Sequence, residues 1–138
     1  MAKAAAKKNT AVKKTAIKKA APKPVVPDSK DFAIEAARIA ANLHCTDITI
    51  LDLKGVSPAT DYFVIATGTS DRQMRTVADD VCEAGHKIGF KRFGRAGYEQ
   101  GKWILIDFVD VVVHVFDREY RKLYDLELLW GDAKQVTW

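Results

Sequence analysis

The sequence predicts an α/β (α+β) fold, a mixed sheet of about five strands with helices packed on it. Three observations carry that expectation. Short segments alternate apolar and polar residues or run almost wholly apolar, as half-buried and central strands do. Longer segments repeat their apolar residues every three to four positions, as amphipathic helices do. The two kinds interleave along the chain in the order α-β-β-α-β-β-β-α, which describes two or three packed layers.

Each element has its own signal. Asp28 or Ser29 caps a first helix over about 30–44, with Asp31 placed to suit the positive end of the helix dipole. Phe32, Ala36, Ile39 or Ala40 and Leu43 form its inner stripe. Residues 47–53 alternate in period two and read as a strand that ends near Lys54-Gly55. After the turn at Ser57-Pro58, Tyr62-Phe-Val-Ile-Ala-Thr is apolar nearly throughout, the mark of a central strand. Ser70 or Asp71 opens a long helix to about Lys87, with Met74, Val77, Val81 and Ile88 inward. A short strand is expected around 90–93, among Gly89, Gly94, Gly97 and Gly101. Residues 102–108 and 111–116 read as a hairpin turning on Val109 and Asp110, although neither is a preferred turn residue. A final helix is expected over 118–130, where Tyr120, Leu123, Leu126 or Glu127, and Trp130 recur at helical spacing.

The chain of 138 residues has room for one modest domain, and 48% apolar residues suffice for a core. Its net charge of +4 conceals a division. Residues 1–27 hold eight lysines and no carboxylate, whereas residues 28–138 hold 14 basic and 18 acidic side chains. The first stretch, rich in Ala and Lys and ending in Pro22, Pro24 and Pro27, reads as a disordered basic arm. Lys7, Lys8, Lys13, Lys14, Lys18 and Lys19 are its candidate contacts to nucleic-acid phosphates, which would add salt-sensitive affinity without sequence readout. A purely solubilising extension is the alternative. The folded domain is expected over 28–138 and is mildly acidic, so the two parts call for different partners.

Cys45 and Cys82 are too few and too far apart for a disulfide scaffold or a zinc site, and reduced thiols in a bacterial-type cytosol are expected. No apolar run approaches the roughly 18–20 residues of a membrane span, and the lysine-only N-terminus resembles neither a secretory signal nor an arginine- and serine-rich transit peptide. No membrane partner is expected.

Catalysis is disfavoured. Titratable groups at expected strand ends are Asp52, Asp61, Ser70, Arg72, Asp107, Asp110 and His114. Gly68-Thr69-Ser70, between a strand and a helix, is a candidate anion site together with Arg72, but it lacks the lysine and glycine spacing of a P-loop. A nucleotidyltransferase would place two carboxylates two apart on a strand to hold magnesium. Asp79-Asp80 lies in a helix, and Asp107 and Asp110 are three apart across a turn. A lone histidine such as His114, on the same face as Val112 and Phe116, is more often a hydrogen-bonded sheet residue than a base. No cofactor or metal is expected.

The hairpin offers a binding surface instead. Trp103, Leu105 and Asp107 share one face, and Ile104, Ile106 and Phe108 the other, so large apolar groups occur on both. Such a strand is either sandwiched between two helical layers or part of an interface hot spot, and its pattern weighs the two equally.

Three segments resemble the ribosomal silencing factor family, also called the Iojap family. They are Ala59-Thr-Asp-Tyr-Phe-Val-Ile-Ala-Thr-Gly-Thr-Ser-Asp-Arg-Gln, Trp103-Ile-Leu-Ile-Asp-Phe-Val-Asp-Val-Val-Val-His-Val-Phe and Leu123-Tyr-Asp-Leu-Glu-Leu-Leu-Trp-Gly-Asp. The resemblance spans about 30–135 and excludes the basic arm. The family usually has glycine where Val109 stands, and a valine there argues against a positive-φ turn. The resemblance implies a nucleotidyltransferase-like fold without the catalytic carboxylates. It also implies a translational repressor that binds the large ribosomal subunit through its ribosomal protein fourteen and blocks joining of the small subunit when nutrients are scarce. The family's partner-facing surface includes the positions of Trp103 and Phe108. Asp107 and Asp110 add charge-assisted contacts to a basic partner, and with His114 they complete the expected partner-binding set. The rival readings are a nucleotidyltransferase-like enzyme using Gly68-Thr69-Ser70 and a nucleic-acid-binding protein led by the lysine arm. A homodimer through the exposed strand or the last helix is a further partner to test.

Overall fold

A computed structural model of the chain describes residues 28–138; the lysine arm lies outside the described residues. Helix α1 (Ser29–Asn42) begins where the Asp28 carboxylate accepts a hydrogen bond from the Lys30 N–H at 3.2 Å. Strands β1 (Thr46–Asp52) and β2 (Tyr62–Thr67) follow, and then helix α2 (Asp71–Ile88). Ser70 caps α2 through the Gln73 N–H at 3.0 Å, and Gly89, at φ 96°, ends it in the left-handed conformation that glycine adopts without strain. Strands β3 (Gly94–Ala96), β4 (Trp103–Asp107) and β5 (Val111–Phe116) complete the middle of the chain. Two short helices, α3 (Arg118–Leu123) and α4 (Leu126–Leu129), and strand β6 (Lys134–Gln135) close it.

The six strands form one mixed sheet in the order β3-β4-β5-β2-β1-β6. Only the central pair, β2 and β5, runs parallel; all other neighbours are antiparallel. The expectation that β2 is central holds, as does the mixed sheet with packed helices. One face carries α1 and α2. Phe32, Ala33, Ala36, Ala37 and Ala40 of α1 are buried with Met74, Val77, Ala78 and Val81 of α2 and with Ile104, Ile106, Val113 and Val115 of the sheet. The alanines let α1 lie close to the strands. Gly85 has a packing reason inside α2: a Cβ there would stand 2.9 Å from the Phe32 ring and 3.2 Å from the Phe108 ring.

Four expectations need correction. The sheet has six strands, because Lys134–Gln135 pairs with Leu51 and Asp52; two residues are too few for a periodic signal. The third strand is Gly94–Ala96 and not 90–93, since Phe90 turns inward to stack on Phe32 at 4.7 Å. The final helix is broken at Tyr124–Asp125, and Asp125 caps α4 through the Leu128 N–H. The break brings Glu127 onto Arg121, which it holds at 3.1 and 3.0 Å. Six residues apart on a straight helix, the two side chains would point about 120° from each other. The remaining Arg121 nitrogen Nη1 donates to Thr67 Oγ1 at 2.8 Å, fixing this segment to the carboxyl end of β2.

The fourth correction concerns the hairpin. Its loop has three residues, Phe108–Asp110, and Val109 does adopt positive φ, at 75°. The Asp110 N–H donates to the Phe108 carbonyl at 3.0 Å, which closes a γ-turn of the strained kind around a β-branched residue. Neighbours hold it there. The Asp107 carboxylate accepts from the Val109 N–H at 2.7 Å, and the Asp110 carbonyl accepts from the Asp61 and Tyr62 N–H groups at 3.0 and 3.1 Å.

Candidate functional site

The opposite face of the sheet is only half covered. Leu51, Leu53, Ile65, Phe116 and Leu126 form its small core, with Phe63, Trp103, Tyr120, Trp130 and Ala133 packed around them. Helices α3 and α4 supply that cover. Beyond it, two apolar grooves meet at Leu105. One, of about 650 Å³, runs past Trp103, Lys102, Gly97 and Tyr120. The other, of about 580 Å³, is lined by Thr60, Phe63, Phe93, Val109, Val112, His114 and Trp130, with Asp107 at its margin. Phe93 is 78% exposed and Val109 51%, so the apolar surface extends past the grooves.

Trp103 joins the two halves. Its half-buried indole stacks on Phe116 at 4.8 Å and lies 4.9 Å from the Tyr124 ring. Its Nε1–H donates to His114 Nδ1 at 3.1 Å. His114 is 3% exposed, and burial pushes its pKa down to about 3, so the ring is neutral throughout the physiological range. The sheet-residue reading of His114 therefore fits its surroundings.

The expected partner-binding residues divide. Trp103, Asp107 and His114 share the half-open face, and Asp110 is exposed at the turn beside it. Phe108 does not join them, which corrects its place at the partner surface. It is 3% exposed, on the α1–α2 side, with its ring edge-on to Phe32 at 4.8 Å. The physical reason is strand alternation: Phe108 continues the face of Ile104 and Ile106 and fills the hollow over Gly85. Strand register places Asp52, Asp61, Asp107 and Asp110 at one end of the sheet. Among the described residues no group of three or more His, Cys, Asp or Glu is arranged to hold a metal ion.

Ser70 and Arg72 lie past the other end of β2. Both are exposed. Ser70 Oγ accepts from the Gln73 N–H, Gln73 Oε1 accepts from the Thr69 N–H at 2.6 Å, and Asp71 pairs with Arg75 at 3.1 Å. Hydrogen bonding to Arg75 holds the Asp71 carboxyl below its usual range, so it stays charged at neutral pH. The adjoining hollow is lined by Gly68, Thr69, Asp117, Arg118 and Glu119, so both signs of charge meet there. The six arm lysines lie outside the described residues.

Leu105, Phe63, Phe93, Thr60 and Trp130 also line the face, though only Leu105 had a signal, by alternation with Trp103. The others come from separate elements that only the fold brings together. Among the described residues no helix is long and apolar enough to cross a membrane.

One sealed face and one half-open aromatic face with charged residues at its rim make this an α+β scaffold with an exposed apolar surface. The family model described as "Ribosomal silencing factor during starvation" matches residues 26–138, and the chain belongs to that family. It is similar to ribosomal silencing factor RsfS of Bacillus subtilis, 39% identical over 98 residues that cover 71% of this chain and 83% of that protein. The chloroplastic protein Iojap of Zea mays is 31% identical over 105 residues, 76% of this chain and 46% of that one. A crystal structure of a Chromobacterium violaceum protein superposes with a TM-score of 0.73 at 32% identity, covering 76% of this chain and 88% of that one. A second, from Bacillus halodurans, gives 0.66 at 33% identity over 79% and 96%. The family's role is regulatory, in ribosomal silencing.

Proposed function

We propose that the chain represses translation by binding the large ribosomal subunit through its ribosomal protein fourteen, so that the small subunit cannot join. The observation that carries this reading is the half-open face around Trp103 and Leu105, an apolar surface with the composition of an interface hot spot. Its margin carries Asp107 and Asp110, and residues 28–138 have a net charge of −4, which complements a basic ribosomal protein and speeds encounter. Blocking requires occupancy and no turnover, so the chain acts as a steric factor and not as an enzyme. It works in the cytosol, where subunits join, and nutrient limitation is the condition that calls for it. The lysine arm before residue 28 adds avidity by touching ribosomal RNA near the docked domain.

Co-sedimentation with isolated large subunits tests the reading. Trp103→Ala and Leu105→Asp should each weaken binding by at least about tenfold, or 1.4 kcal/mol, while thermal unfolding remains cooperative. Deleting residues 1–27 should weaken binding less and flatten its salt dependence. If both point variants fold and sediment like the unaltered chain, this face is not the docking surface.

A further inference from the structure

Among the described residues, two buried side-chain polar atoms lack a hydrogen-bond partner: His114 Nε2 and Thr60 Oγ1. Both residues line the same groove. Folded proteins keep few such atoms, because burial removes their water bonds without return. His114 stands opposite Ile65, five residues along from Thr60, so each atom marks its own place for a contact made when the groove is occupied.

The chemistry of that contact follows from the histidine tautomer. An indole nitrogen can only donate, so Trp103 Nε1, at 3.1 Å, obliges His114 Nδ1 to accept. Burial keeps the ring neutral, and its single proton must then sit on Nε2. The unpaired group is therefore an N–H donor that needs an acceptor. Phe63 stands edge-on to the ring at 4.5 Å, and Trp130 stands edge-on to Phe63 at 5.8 Å. Both aromatics line the groove.

We propose that the floor of this groove is a recognition subsite in which His114 Nε2–H receives a neutral oxygen acceptor from a basic protein segment of the large subunit. The proposal rests on the docking reading given above. A hydroxyl, carboxamide or main-chain carbonyl oxygen fits; a phosphate or carboxylate does not, since a neutral imidazole cannot offset its charge and Asp107 and Asp110 repel it. The same two carboxylates favour Lys or Arg beside the inserted oxygen. Because Nε2 is buried, entry requires a side chain lining the groove to move, an ordinary adjustment at an interface.

The test uses the full chain and isolated large subunits. In His114→Asn the amide reaches the place of Nδ1 and can still accept from Trp103, but nothing donates at the place of Nε2. In His114→Gln the longer amide reaches the place of Nε2 and restores a donor. Asn should weaken binding by about tenfold or more, and Gln should recover most of that loss. Wild-type binding by the Asn variant, or equal losses in both variants, overturns the proposal. Ring ¹⁵N spectra of the unaltered free chain give a second reading that needs no variant to fold: a proton on Nε2 supports the subsite, and a proton on Nδ1 overturns it. Binding of protein-free ribosomal RNA as tightly as the whole subunit overturns the protein occupant. If Trp103→Ala and Leu105→Asp lose binding while His114→Asn does not, only the subsite fails. If none of the three loses binding, the docking face fails with it.

Discussion

The two faces of the sheet use the same strands for opposite ends. Under α1 and α2 the side chains are small or aliphatic, they interdigitate with Phe32 and Phe108, and almost nothing polar is buried. On the other face the side chains are aromatic, the cover stops at Trp103 and Tyr120, and His114 and Thr60 hold unpaired polar atoms. A protein that needed only stability would close both. The contrast teaches where to expect function: substitutions on the first face should act on folding, and those on the second mainly on binding.

Four measurements bear on that contrast. The largest effect is expected from Phe108→Ala, which empties the hollow over Gly85 and should lower unfolding free energy by about 3–4 kcal/mol. Its folded fraction should still bind subunits normally; a binding defect in excess of the unfolded fraction would return Phe108 to the partner surface. The second effect belongs to His114. Its folded pKa, about 3, lies below its ordinary 6.5, so only the unfolded chain takes up a proton as pH falls. The stability is complete above pH 6.5 and declines from there toward pH 3, by about 2–3 kcal/mol at pH 4.5. Urea unfolding at pH 7 and pH 4.5 should show the decline in the unaltered chain and less of it in His114→Gln; equal declines would remove His114 from the account.

The third effect tests the cover of the second face. Arg121→Met breaks the clamp to Glu127 and Thr67, a largely buried arrangement with the arginine side chain 11% exposed, and should cost about 2 kcal/mol. Hydrogen exchange should then accelerate over 118–130 and not in α1; uniform acceleration would mean the clamp supports the whole fold. The smallest effect is a gain. Val109→Gly relieves positive φ at a β-branched residue and should add about 0.5–1 kcal/mol, net of the extra freedom of glycine in the unfolded chain. A loss in thermal unfolding would show that the γ-turn is unstrained.

Much of the first face was legible in the sequence. The stripe of Phe32, Ala36 and Ala40 and that of Met74, Val77 and Val81 follow helical period, and the caps Asp28 and Ser70 bound the helices. The second face was legible only where one strand speaks for itself, as in Trp103, Leu105 and Asp107. Strand alternation grouped Phe108 with Ile104 and Ile106, as the structure does, but could not tell which face was open. Val109 misled outright, because the hydrogen bonds that hold its φ come from Asp61, Tyr62 and Asp107, remote from any local preference. Phe63, Thr60 and Trp130 reach the groove from three different segments, and only tertiary structure assembles them.

The parallel pairing of β2 with β5 has a consequence for the order of folding. The hairpins β1–β2 and β4–β5 are local, but joining them closes a long loop through α2, a slow step by contact order. The groove straddles that seam, with Phe63 on one hairpin and Leu105 and His114 on the other. Neither hairpin alone can present it. Docking through this groove thus requires the β2–β5 pairing, and neither hairpin by itself carries the whole surface.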